Sequence, residues 1–237
     1  MRLCILENGL VPEELRPRFA SYPTMIEHWL APALPEARFH SISAIEGEPL
    51  PDPEEFDGYL LTGSKHSVYE RTDWMQRQIE FLHKVREVSR PIFGICFGHQ
   101  LMADAFGGET RKAAQGWSVG AQHYYADSGV NRSAPDEGAT LVFHQDQVVK
   151  LPEEAQVVGS SASCPNGILD YAFAARSVQY HPEFSPDYIQ ALIDRYRGVL
   201  FDDSIADDAE KSLEALSVDN ARVATWAAAF FRKHVSK

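Results

Sequence analysis

Residues 94–100 read Gly94-Ile95-Cys96-Phe97-Gly98-His99-Gln100, and this stretch decides the fold. The apolar run before it, Pro91 to Ile95, has the length of a buried strand. After it, Phe97, Leu101, Met102, Ala105 and Phe106 fall on one helical face, and Gly107-Gly108 stops them. Strand, sharp turn and helix are the setting of a Gly-x-nucleophile-x-Gly elbow, here with cysteine at its centre. The flanking glycines lack the Cβ atoms that would obstruct the turn. Cys96 then stands at the carboxyl end of a strand and the amino end of a helix. The helix dipole and unpaired N–H groups there favour a thiolate. The bland alternative is an inert buried thiol, a common fate of free cysteine.

Outward from the elbow, apolar strands alternate with helical stretches. Leu3 to Leu6, Arg38 to Ile42 and Phe56 to Leu61 read as strands. A helix is expected from Glu13 or Thr24 to Leu30, ended by Pro32 and Pro35, and Glu46 to Glu55 reads as a loop. Asp73 is the expected cap of a helix with Met75, Ile79, Leu82 and Val85 on its apolar stripe. Such βα alternation to about residue 107 points to a mostly parallel sheet with helices on both faces. Beyond Gly108 come short strand-like runs at Val119–Tyr125, Thr140–Phe143, Gln156–Ser161, Ile168–Phe173 and Ser177–Tyr180, read as antiparallel additions. Ser185-Pro186 opens a helix carrying Ile189, Leu192, Ile193 and Tyr196. The acidic stretch Phe201–Leu216 reads as a weak helix with a solvated face. A last helix after Asp219 bears the stripe Val223, Trp226, Ala227, Phe230 and Phe231 and should pack on the body.

Composition narrows the function. The 237 residues suit one large α/β domain, and 44% hydrophobic content suffices for a core. A formal charge of −12, from 22 basic and 34 acidic residues, argues against nucleic acid or an anionic membrane as the main partner. The three cysteines Cys4, Cys96 and Cys164 form no disulfide framework, so a reducing cytosol is expected. Neither a leader nor a membrane span is expected, and no zinc-type cysteine and histidine spacing occurs.

A cysteine nucleophile needs a base. Val178-Gln179-Tyr180-His181-Pro182-Glu183 places His181 at the end of an apolar strand, with Glu183 two residues on to hold the ring. The alternatives are a strand-end histidine and a surface acid. A third strand end, Leu60-Leu61-Thr62-Gly63-Ser64, offers the Gly63 N–H, which with that of Phe97 would make an oxyanion hole. The alternative for Gly63 is a turn glycine.

Together these residues resemble the class I, triad-type glutamine amidotransferases. The likeness rests on the elbow at Cys96, on His181-Pro182-Glu183, on Gly63, and on Phe143-His144-Gln145-Asp146-Gln147-Val148, which is similar to the family's Ser-His-Gly-Asp-x-Val segment. It spans roughly residues 1–200 and implies a flavodoxin-like, three-layer open sheet, mostly parallel with antiparallel additions. Residues 201–237 are then a helical extension packed on the same domain. The resemblance also implies a chemistry, in which Cys96, His181 and Glu183 are catalytic and Gly63 and Phe97 form the oxyanion hole. Gln100, His144, Gln145 and Asp146 would lie at the substrate. No metal or organic cofactor is needed for cleaving a γ-glutamyl amide.

Departures from the family pattern cluster near the expected pocket. The usual Gly-Pro-Gly is replaced by Gly63-Ser64-Lys65-His66-Ser67-Val68-Tyr69, and Gln145 stands for the usual glycine. These resemble the stand-alone, GMP-synthase-like branch and the γ-glutamyl peptidases. Three functions follow as expectations: a cytosolic glutaminase passing ammonia to a separate synthase, a γ-glutamyl peptidase needing no partner, or a non-catalytic binding module on the same fold. Gln100 reads equally as a residue that bonds only locally, His144 is read as more structural than catalytic, and Asp146 reads either as a substrate ligand or as a turn residue. Lys65, His66 and Tyr69 either line the pocket or face solvent. Cys4 and Cys164 are read as packing residues.

Overall fold

The computed structural model describes residues 1–126, 135 and 137–235, so the last two positions of the expected 201–237 extension lie outside the described residues. The elements follow in chain order. β1 (Arg2–Leu6) leads through a short 3₁₀ turn to α1 (Arg16–Phe19), α2 (Tyr22–Leu30), β2 (Arg38–Ile42) and β3 (Gly58–Leu61). Next come α3 (Asp73–Glu87), β4 (Ile92–Ile95), α4 (Phe97–Ala105), β5 (Glu109–Lys112), β6 (Ser118–Ala126), β7 (Gly138–His144) and β8 (Asp146–Lys150). The chain continues with β9 (Ala155–Ser160), β10 (Ile168–Tyr171), β11 (Ala175–Val178), α5 (Pro186–Tyr196), α6 (Asp203–Ala215) and α7 (Ala221–His234).

Among these residues one nine-stranded sheet runs in the order β2-β1-β3-β4-β11-β10-β9-β6-β7. The strands from β2 to β11 in that order are mutually parallel. The other four are antiparallel additions. Register is set by alternation. Leu3, Ile5, Leu60, Phe93, Ile95 and Val178 face one side, packed with α2 and α7. Cys4, Leu6, Tyr59, Leu61 and Ile92 face the other, packed with α3 and α4. A one-residue slip would exchange the two sets, so each strand has a single acceptable pairing.

Local chemistry differs from the sequence reading in four places. Thr72, rather than Asp73, takes the cap position of α3, because Asp73 already has helical geometry as the first residue. Gln78 is buried on α3 where a purely apolar stripe was expected, while Ile79 is only half-buried. The first helical region is split into a 3₁₀ turn, α1 and α2, because Ser21 caps Thr24 N–H and Pro23 sits in the first turn of α2. The small two-stranded sheet of β5 and β8 was not anticipated, since Glu109–Lys112 carries no apolar alternation.

The acidic helix α6 is more than a solvated face. Ala206 and Ala209 are buried, and Ser212 Oγ accepts the Ala121 N–H of β6 at 2.8 Å. Small residues allow this close helix-to-strand approach while the acids point outward. α7 buries Val223, Trp226, Ala227, Phe230 and Phe231. Its aromatic rings surround Phe93 of β4, with centroids 5.7 Å away for Trp226 and 6.4 Å for Phe231. The helix therefore supports the strand that ends at Cys96.

Candidate active site

Because β1, β3, β4 and β11 are parallel, their carboxyl ends open on one edge of the sheet. Register sets Leu61 beside Gly94 and Ile95 beside Val178. The next residues of each strand, Thr62-Gly63, Cys96 and Gln179 to His181, therefore converge there. Sites in open α/β sheets form at such edges.

Cys96 links β4 to α4 with φ 51° and ψ −103°. A non-glycine residue held there stores roughly 1–3 kcal/mol of strain. Its N–H donates to Val178 O at 2.8 Å, which pins the turn to β11. The flanking glycines are required by space. A Cβ on Gly94 would lie 2.7 Å from Gly98 backbone atoms, and one on Gly98 would lie 2.6 Å from Leu61 O.

His181 reaches the thiol from β11. Its backbone N–H donates to Leu141 O at 2.8 Å, its ring meets Cys96, and its Nδ1 is 2.8 Å from Glu183 Oε1. Burial opposes a positive charge on this ring. Cys96 and then Glu183 outweigh it and push the His181 pKa up to about 10. These two neighbours thus favour the protonated ring. The ring also stacks on Phe184 at 3.9 Å between centroids, which fixes its plane. Glu183 is buried and its second oxygen, Oε2, has no partner among the described groups. It is therefore a buried partner of the His181 ring and not a surface acid.

Gly63 closes the constellation. A Cβ there would meet His181 Cε1 at 2.7 Å and Cys96 Cβ at 3.7 Å, so only glycine allows this approach. Phe97 is the first residue of α4, where helix N–H groups have no intrahelical acceptor.

The other expected residues distribute unevenly. Gln100, His144, Gln145 and Asp146 all line one cleft with Cys96 and His181. Gln100 Nε2 is already committed to Asp146 O at 2.9 Å and Gln179 Oε1 at 3.1 Å. Asp146 accepts Ser67 Oγ at 2.5 Å and Tyr69 OH at 3.2 Å, so part of the loop that departs from the family pattern is tied to it. Lys65 and His66 also line the cleft. His144 is buried, with the Asp146 backbone beside its ring. Burial, with His181 nearby, pulls its pKa down to about 3 and keeps it neutral. Cys4 and Cys164 sit elsewhere, both pushed up to about 12 chiefly by burial, as packing thiols should be.

Two sets of residues escaped the sequence reading. Gln179 is fully buried, and its Nε2 donates to Cys96 Sγ at 3.6 Å. Period-2 polarity was the available signal: Ser177, Gln179 and His181 alternate with apolar residues and share the face toward α4. Ser177 Oγ meets His99 Nδ1 at 2.8 Å, completing that polar seam. The second set supports Gly63. Asn8 N–H donates to Thr62 Oγ1 at 2.8 Å, and Asn8 Nδ2 donates to Thr62 O at 3.4 Å. Gln78 Nε2 holds Asn8 Oδ1 at 2.5 Å, and Thr62 Oγ1 donates to Gly63 O at 2.9 Å. In a trans peptide the Gly63 N–H points opposite the Thr62 carbonyl. Holding that carbonyl therefore aims the N–H. No sequence signal joined Asn8, Thr62 and Gln78, which meet only through the fold.

Among the described residues no helix is long and apolar enough to cross a membrane. Comparison with known proteins agrees with the geometry. Gamma-glutamyl peptidase 3 of Arabidopsis thaliana is 28% identical over 181 residues, covering 71% of each chain. The glutamine-hydrolyzing GMP synthase of Azoarcus sp. (strain BH72) is 28% identical over 183 residues, which is 62% of this chain but 34% of that protein. The chain thus spans about a third of that synthase. A crystal structure of a glutamine amido transferase from Methylobacillus flagellatus superposes with a TM-score of 0.77 at 17% identity, covering 100% of this chain and 95% of that one, a likeness of fold. The Glutamine amidotransferase class-I family pattern matches residues 25–193, and the chain belongs to that family.

Proposed function

We propose that this chain hydrolyses γ-glutamyl amides through a covalent γ-glutamyl thioester on Cys96. The observation that carries this reading is the convergence of Cys96, His181 and Glu183 on one sheet edge, with Gly63 against them. The Cys96 sulfur attacks the γ-carbonyl carbon and forms a C–S bond. The carbonyl oxygen becomes an oxyanion facing the Gly63 and Phe97 N–H groups. As the tetrahedral intermediate collapses, the C–N bond breaks and His181 gives its proton to the departing amine. Water then attacks the thioester, giving up a proton to His181, and the products are glutamate and the regenerated cysteine. Glu183 holds the ring and stabilises its positive charge throughout. Asp146, with Ser67 and Tyr69, is suited to meet the charged amino-acid end of the substrate.

Relatives of both kinds, a peptidase and a synthase, support the γ-glutamyl class. The test is glutamate release from L-glutamine and γ-glutamyl dipeptides by the purified chain, with Cys96→Ala beside it. Turnover lost by about 10⁴-fold or more in the variant is the expected result. Turnover that survives in Cys96→Ala would sink the mechanism. No turnover of any γ-glutamyl compound, with or without an added synthase, would favour a binding module.

A further inference from the structure

We infer that the site carries a built subsite for an apolar, preferably aromatic, group on the departing amine. This rests on the γ-glutamyl reading above and names the substrate class within it. The cleft holding Cys96 and His181 has a volume of about 850 Å³. Clefts of roughly 300–1,000 Å³ accommodate ligands well beyond an amino acid in size. Asp146 lines this cleft, as does the ion pair of Glu14 with Arg195. The amine must leave on the side of His181, which protonates it. There the wall begins with Phe184, stacked on His181. Farther out, Trp117, Phe143 and Tyr196 line it, with Trp117 and Tyr196 packed on Phe143 at 5.4 and 5.9 Å.

The rim supplies an independent observation. Five large apolar side chains are exposed among the described residues, and two of them, Val199 and Leu200, line this cleft. Val199 is 72% exposed and Leu200 42%. They are held in place rather than left loose. The N–H groups of both donate to Tyr196 O at 2.9 and 3.0 Å, and that of Gly198 to Phe201 O at 2.8 Å. Arg197 beside them is anchored to Asp207 at 2.6 Å and Glu210 at 2.8 Å. A fixed loop that holds apolar groups in water at the mouth of a reactive cleft is suited to an apolar ligand. Continuity with the reacting atoms selects the substrate as that ligand.

The experiment compares kcat/KM for L-glutamine, γ-glutamyl-glycine, γ-glutamyl-leucine and γ-glutamyl-phenylalanine in the wild type and in Val199→Ser/Leu200→Ser. The expected wild-type order places phenylalanine above glycine by roughly tenfold or more. In the double variant that ratio falls toward one. Equal rates on all dipeptides overturn the subsite while leaving the γ-glutamyl mechanism standing. A double variant that keeps the wild-type ratio, losing all substrates alike, overturns it too. Glutamine turnover that rises only when an added synthase covers Val199 and Leu200 assigns the rim to a protein interface and overturns the proposal. Failure of every γ-glutamyl compound takes the underlying mechanism down first, a result distinct from equal rates.

Discussion

The two ends of the cleft are built by opposite means. At the inner end polar side chains hold one another: Gln179 on Cys96, Gln100 on Gln179 and Asp146, Glu183 on His181. At the outer end Trp117, Phe143 and Tyr196 make ring contacts, and Val199 and Leu200 face water. Hydrogen bonds are directional and buried ones are costly to break, so the inner end is suited to holding atoms for a reaction. Apolar contact is non-directional and scales with area, so the outer end is suited to choosing a leaving group. Mutations at the inner end should therefore act on kcat for every substrate, and mutations at the outer end on the ratio between substrates.

The sharpest way to break this contrast is Glu183→Gln. It keeps the shape but removes the charge that orients and stabilises His181, and kcat should fall by about 10²–10⁴-fold on all γ-glutamyl substrates. Steady-state kinetics over a pH series would check it, and unchanged kcat would return Glu183 to a purely structural role. Thr62→Val comes next. It removes the hydroxyl that accepts the Asn8 N–H and donates to Gly63 O, which loosens Asn8 and with it the held Thr62 carbonyl that aims the Gly63 N–H. Removing an oxyanion donor outright costs about 10²–10³-fold, and misaiming one should cost roughly tenfold or more in kcat with KM little changed. Thr62→Ser should restore the rate. A parallel loss of thermal stability in both variants, with no kinetic rescue by serine, would mark Thr62 as structural only.

Substitution at Val199 and Leu200 has a smaller effect, confined to substrate preference. The smallest effect on turnover, and a separate one on stability, concerns the buried histidines. His99 and His144 are both pulled down to about 3, mainly by burial. In the unfolded chain they titrate near 6.5. Between those values the unfolded chain binds more protons, so stability falls as pH drops from about 6.5 toward 3. His181 acts on the other limb. Its raised pKa contributes stability below its unfolded value, and this is lost as pH rises through about 10. His99→Asn retains a partner for Ser177 and removes one buried ionisable ring. Its acid-unfolding midpoint, followed by tryptophan fluorescence, should move to lower pH. A midpoint that stays in place would show that His99 does not titrate on unfolding.

The apolar runs of β1, β3 and β4 and the glycine-flanked turn at Cys96 were readable in the linear chain, since each is a pattern within about ten residues. So were His181 and Glu183, two positions apart at a strand end. β5 was not readable, because Glu109–Lys112 is stabilised by pairing with β8 and not by an apolar face of its own. α6 was read only as weak, because what holds it is the close approach of Ala206, Ala209 and Ser212 to β6, and small residues carry little hydrophobic signal.

The sequence alone therefore determined the alternating layers, the elbow and the candidate nucleophile, base and acid, because apolar runs, period-3.6 burial and tight-turn sterics are local. Tertiary structure alone decided that Gln179 lies on the cysteine sulfur, that Asn8 and Gln78 hold the Thr62–Gly63 peptide, and that the 197–201 loop borders the same cleft. Those contacts join residues dozens of positions apart. Their partners are selected by strand register and helix packing, which no single segment encodes.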